Sequence, residues 1–297
     1  MSIYSQISAN RWRTYLIMFI FILIVTGFFF IIGKYFRSPA AFFIFGFSFS
    51  LLSSIGSYFY SDKIVLLSTG AKPANKKEHF DFFTVTENLS IASGLPMPKL
   101  YVMEEQSMNA FATGRGPKHA VVCATTGILN RLERSELEGV IAHELSHIKN
   151  YDILLASIVA VLVGTIALVA DIIMRSLWWG GNDRDRENKN PLMLVILFIA
   201  LILTPIVATL IQLAVSRRRE FLADASGALI TRYPEGLARA LEKISGDRNP
   251  TVHATTSTAH LFIANPFKKG SRRSWFASLF STHPPIEERI KRLRAIR

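Results

Sequence analysis

SELEGVIAHELSHIK, residues 135–149, decides how the rest of this chain is read. Ser135 and Glu138 fit the S-x-x-E pattern, in which each side chain satisfies a free backbone N–H at a helix start, and they predict a helix from about Ser135 to Lys149. On such a helix His143 and His147 stand four residues apart and project from one face, so both imidazoles can reach a single zinc ion at about 2.0 to 2.1 Å. Glu144, next to the first histidine, is placed to hold an attacking water, take its proton and pass that proton to a leaving amine. Zinc lowers the pKa of a bound water to around 7 and polarises a carbonyl, which makes hydrolysis feasible at neutral pH. A chance H-E-x-x-H in a chain this long has a probability of roughly 1%, so the pattern is read as chemistry. The isolated His79, His119, His253 and His260 are read as ordinary surface or core histidines and given no role.

A catalytic zinc site needs a third protein ligand and one open position. Glu220 in SRRREFLADASG, residues 216–227, is the candidate; the other reading has it pairing with Arg217 or Arg219 on a solvated helix. Asp224, four residues on, shares its face and could accept the spare N–H of a ligand histidine. The single cysteine, Cys123, excludes an intramolecular disulfide framework and an all-cysteine metal cage, so a bound metal must rely on His and carboxylates.

Half of the 297 residues are apolar, and they fall in blocks. Thr14–Gly33 holds 20 uncharged residues, enough for a helix of about 30 Å, and Ser38–Ser61 follows almost at once, so the two predict a transmembrane hairpin. A third run, Ile153–Ala170, ends at Asp171, with Arg175 one turn beyond as its potential partner. A fourth, Pro191–Ser216, follows the polar segment GGNDRDRENKN. Between the hairpins, KLYVM (99–103) and HAVVCAT (119–125) read as strands. The expected architecture is a mainly α membrane protein with four transmembrane helices and an α+β domain holding a small sheet. Its divisions are 1–61, the first hairpin; 62–152, the first catalytic part with the HELSH helix; 153–216, the second hairpin; and 217–297, the second catalytic part.

The net charge of +12 is scattered around apolar blocks with no nucleic-acid recognition module, so a lipid bilayer explains it better than a nucleic acid. A transporter is disfavoured because the apolar runs lack pathway-lining charges. If Glu220 shares a metal with His143 and His147, both ends of 153–216 lie on one side, so the segment crosses twice or not at all; the two long runs favour two crossings, and Asp171 keeps open a hairpin buried in the protein or lying in the interface. Arg11, Arg13, the lysines after the second run and Arg217–Arg219 share that side, against Lys34, Arg37 and part of the 175–190 loop on the other, a modest bias that places both termini and the HELSH helix in the cytoplasm. The short spacing from His147 to the third run, and from the fourth run to Glu220, predicts helical continuity and a metal within roughly 10 Å of the membrane boundary. Membrane proteins cut in cytosolic loops or tails are the expected substrates. The rival is a zinc-binding membrane scaffold or assembly factor without turnover.

HELSH, RREFLAD after two apolar runs, and STHPP at 281–285 together resemble the HtpX family of bacterial membrane zinc metalloproteases, related to the CaaX prenyl endopeptidases. The resemblance covers nearly the whole chain. It implies a gluzincin-like zinc protease domain with one Zn2+ per chain held by His143, His147 and Glu220, and Glu144 as general base. It further implies residence in the bacterial inner membrane, misfolded or damaged membrane proteins as substrates, and a role in quality control. NAFATG, residues 109–114, resembles the family's strand beside the cleft, so Asn109, Ala110 and Phe111 are candidate substrate contacts by backbone pairing. His283 matches a family histidine that could stabilise the oxyanion; a helix-capping or structural histidine before Pro284 and Pro285 is the alternative.

Overall fold

The computed structural model of the protein describes residues 3–179, 216–249, 251–267 and 284–296. In hydrocarbon every backbone N–H and C=O must be satisfied within the protein, so apolar runs of this length become helices. Two of them, α1 (Ile3–Tyr35) and α2 (Pro39–Ser68), form the expected hairpin. The turn between them passes through Arg37, whose φ of 56° lies in the left-handed region. Ser50, Ser54, Ser57 and Ser61 make up much of the buried face of α2, and side chains this small let neighbouring helices approach closely. Trp12, Phe19, Leu23, Ile31 and Leu52 point outward instead, an apolar surface suited to lipid.

Beyond the hairpin the chain changes to a mixed domain. Strand β1 (Lys72–Pro73) precedes helix α3 (Phe80–Ser93), which is followed by β2 (Lys99–Met103), β3 (Ala110–Gly114) and β4 (Ala120–Thr125). The sheet order is β1-β2-β4-β3, with β2 parallel to β4 and both other pairings antiparallel. A short helix α4 (Thr126–Arg131) is capped by the Thr125 side chain, which accepts from the Ile128 N–H. It leads into α5 (Arg134–Lys149), which carries HELSH across the domain core.

The start of α5 differs from the expected one. Its capping pair is Glu133 and Glu136, two residues before Ser135 and Glu138: the Glu136 carboxylate accepts from the Glu133 N–H at 2.8 Å. Lys243 holds the same carboxylate at 2.6 Å, whereas Glu138 is left to pair along the helix with Arg134 at 3.4 Å.

The third apolar run forms α6 (Asp152–Trp179), and Asp171 and Arg175 pair at 2.8 Å along it. Leu154, Leu155, Ile158, Val159 and Leu162 of α6 interlock with Ile17, Phe21 and Val25 of α1. Helices α5 and α6 are not continuous: Tyr151, with φ of 59°, breaks the path between them. Three helices among the described residues are therefore long and apolar enough to cross a membrane, where four were expected. The fourth expected run, Pro191–Ser216, lies outside the described residues except for Ser216. The domain is completed by α7 (Arg217–Thr231), α8 (Pro234–Gly246) and α9 (Ile286–Arg294).

Candidate metal centre

Helix α5 is buried along most of its length, and burial is what makes its polar face unusual. His143 is 1% exposed, and its Nε2 lies 3.2 Å from His147 Nε2, with the two rings perpendicular. Glu220, one turn into α7, brings Oε1 to 3.5 Å from His147 Nε2 and Oε2 to 3.8 Å from His143 Nε2. Gly227 makes this approach possible: a Cβ there would stand 3.1 Å from the His143 backbone nitrogen, so α7 can lie directly on α5.

These separations can be tested against a divalent ion. Two donors at about 2.0–2.1 Å from a tetrahedral metal lie about 3.3 Å apart. The observed 3.2, 3.5 and 3.8 Å match that edge length with small adjustments, and two imidazoles plus a carboxylate suit such an ion. The residues fit the group. Glu144 is buried and lines the same cavity, as do Ala112 of β3 and His260.

Each histidine is held at its other ring nitrogen. His143 Nδ1 lies 3.0 Å from Asp224 Oδ1. His147 Nδ1 lies 3.0 Å from Asp152 Oδ2, at the first residue of α6. Such contacts fix which nitrogen carries the proton and which faces the metal. Arg289 of α9, fully buried, grips Asp224 at two points and lies 3.7 Å from Glu220 Oε2. Arg219, the neighbour of Glu220, reaches Asp152 at 3.5 Å and Asn10 at 3.0 Å.

The two imidazoles differ in charge preference. Burial and then the Arg289 charge push His143 down to about 4. Burial also opposes charge on His147, but Asp152, Glu220 and Glu144 outweigh it and push this group up to about 9. Asp224 resists the raising effect of burial because Arg289 and His143 hold its carboxyl below the usual range. In the metal-free pair the positive charge is therefore favoured on His147 over His143.

Asn109, Ala110 and Phe111 stand at the entry to β3, and all three are buried. The Asn109 amide exchanges hydrogen bonds with the Ala264 backbone at 3.1 and 3.3 Å, and the Ala110 carbonyl accepts from the Ile263 N–H at 3.0 Å. Phe111 packs edge-to-face on Phe262 with ring centres 5.1 Å apart. Ala112 is the residue of this strand that lines the cavity. His283 lies outside the described residues. Sequence reasoning missed Asp152, Asn10 and Arg289. Only Arg289 left a signal: it falls with Ile286, Ile290 and Leu293 on the apolar face of a short amphipathic helix, where an arginine implies a buried partner.

Compared with known proteins, residues 78–297 match the pattern of Peptidase family M48. The chain belongs to that family. This M48 peptidase is 46% identical over 291 residues to a protease HtpX homolog of Tropheryma whipplei (strain Twist), covering 98% of this chain and 97% of that protein. It is 47% identical over 301 residues to a protease HtpX homolog of Caldanaerobacter subterraneus subsp. tengcongensis, covering 99% and 98%. The crystal structure of S. mikatae Ste24p shares the fold, with a TM-score of 0.50 at 19% identity, over 92% of this chain and 62% of that one. The chain is thus a metallopeptidase of HtpX type, with a site for a divalent metal and apolar helices that make it a membrane protein.

Proposed function

We propose that this M48 peptidase is a zinc-dependent endopeptidase that cuts misfolded or damaged membrane proteins on the cytosolic side of a bacterial inner membrane. The observation that carries the reading is the triangle of His143, His147 and Glu220 donors, 3.2 to 3.8 Å on a side, with Glu144 buried in the same cavity. Two nitrogens and one carboxylate oxygen favour zinc over harder ions. When bound there, zinc supplies Lewis acidity toward a carbonyl and a water.

The protein's own residues supply the rest. Glu144 takes the proton of the attacking water and delivers it to the departing amine. Asp224 and Asp152 hold the two imidazoles in register. The substrate lies extended along β3 beside Ala112, since its neighbours Asn109 and Ala110 already bond to 263–264. The assignment of His283 as oxyanion donor rests on the STHPP resemblance alone.

Two features support membrane substrates and cytosolic cleavage. Asp152, the first residue of a potential membrane span, touches His147 and so ties the centre to the end of α6. Arg11, Arg13 and Arg217–Arg219 flank the apolar runs at the ends assigned to the side of the HELSH helix, and an excess of basic residues marks the cytosolic side. The test is cleavage of an unfolded reporter by detergent-purified enzyme with added zinc. Glu144→Gln should bind zinc and fail to cut, and Glu220→Gln should lose zinc affinity. Full activity in Glu144→Gln would overturn the mechanism. Equal cleavage of free and membrane-tethered copies of one reporter would sink the substrate assignment.

A further inference from the structure

Most apolar residues of α1 face outward or pack on other apolar side chains, but Asn10 does neither. It is 3% exposed, and every hydrogen-bonding group of its amide except one lone pair is engaged. Its Nδ2 donates to Asp152 Oδ1 at 2.7 Å and to the Asn150 carbonyl at 3.0 Å. Its Oδ1 accepts from Arg219 Nη1 at 3.0 Å.

Each of these partners adjoins a candidate metal ligand. Asp152 uses its other oxygen, Oδ2, on His147 Nδ1 at 3.0 Å. Asn150 is the residue that ends α5, and its carbonyl lies at the joint where Tyr151 turns the chain into α6. Arg219 immediately precedes Glu220 on α7. One amide from the first membrane helix therefore joins the α5–α6 joint to α7, the elements that bring His147 and Glu220 together. His143 is supported differently, by Asp224 and Arg289 from outside the apolar helices.

We propose that Asn10 is a positioning residue for the metal centre: it locks the Asp152 carboxylate, which orients the His147 ring, so zinc affinity depends on α1 being seated. A carboxylate rotates readily about its last bond, whose preferences are broad. With Asn10 and Arg219 holding one side, Asp152 presents Oδ2 to His147 in one orientation, and His147 Nε2 points at His143 and Glu220. The first helix is then a component of the metal centre as well as an anchor. This inference rests on the reading of His147 as a metal ligand.

The experiment uses the full-length enzyme in detergent. Zinc affinity is measured by chelator competition for the native chain, Asn10→Leu, Asp152→Ala and the double variant, beside melting of each zinc-free form and kcat and KM at saturating zinc. Asn10→Ser, which keeps a polar side chain but is too short to span all three partners, replaces Asn10→Leu if that variant fails to melt cooperatively. Loss of an outer partner of a metal ligand costs about 10–100-fold in affinity, so Asp152→Ala is expected in that range and Asn10→Leu toward its lower end, about tenfold. The double variant should bind no more weakly than Asp152→Ala, because Asn10 acts through Asp152. At saturating zinc KM should be unchanged. Lower melting with native zinc affinity would make Asn10 merely structural and overturn the proposal, as would losses that add in the double variant. A native chain that binds no zinc would bring down the proposed function itself, a separate outcome from native binding with unaffected Asn10 variants.

Discussion

Arg289 grips Asp224 through two parallel hydrogen bonds, Nε to Oδ2 at 2.9 Å and Nη2 to Oδ1 at 2.7 Å, with both side chains buried. The same carboxylate holds His143 Nδ1 at 3.0 Å, so a charge pair inside the domain orients a candidate ligand.

Breaking this pair from one side strands the other charge. Removing one partner of a buried ion pair costs about 3–5 kcal/mol, and Arg289→Ala should lower the melting point of the zinc-free protein accordingly. Arg289→Lys keeps the charge but cannot make the planar two-point contact, and should recover only part of the loss. Native-like melting of Arg289→Ala would contradict the arrangement.

The two histidines make the stability of the zinc-free protein peak near pH 6.5. His147, raised from 6.5 to about 9, contributes stability that is fully present below 6.5 and is lost as pH rises through 9. His143, lowered to about 4, acts oppositely: the unfolded chain binds its proton more readily, so stability falls as pH drops from 6.5 toward 4. Zinc must displace the His147 proton, so apparent zinc affinity should rise by about tenfold per pH unit between roughly pH 7 and 9. Melting curves and chelator competition across that range read both effects; a pH-independent zinc affinity would contradict the assignment.

Gly139 sits where α5 meets α8, and a Cβ there would lie 2.5 Å from the Leu237 backbone nitrogen. Gly to Ala in a helix interior normally gains about 1 kcal/mol. Here the backbones must separate, and overpacking costs typically about 1–3 kcal/mol. Gly139→Ala should therefore melt lower than the native protein; a higher melting point would show that the helices part freely.

What the sequence made legible was local. His143 and His147 occupy one face because a helix repeats every 3.6 residues, and the spans are visible because their apolar runs match a bilayer. Contacts between distant segments were not legible. Glu136 caps α5 in preference to Glu138 where Lys243, 107 residues away, meets it at 2.6 Å. Asn10 and Asp152, 142 residues apart, have no periodic relationship at all. Helical continuity from His147 into the third run was expected, whereas Tyr151 breaks the path and the Asp152 side chain links His147 to α6. Glu220 could not be separated from a surface ion-pairing role because its partners lie on α5, seventy-odd residues earlier.

Phe262 forms part of the cavity wall opposite β3, fully buried and edge-on to Phe111 at 5.1 Å. The adjoining Ile263 N–H holds the Ala110 carbonyl, so residues 262–263 shield the part of β3 next to Ala112. Truncating a buried phenylalanine costs about 3–5 kcal/mol, and Phe262→Ala should lower the melting point by a corresponding amount. The same change widens the cavity beside Ala112, where an extended substrate is proposed to lie. Peptides with a bulky residue at the cut should then gain in kcat/KM relative to those with a small one, measured at saturating zinc and below the melting transition. An unchanged ratio would mean that Phe262 packs the domain without shaping the substrate site.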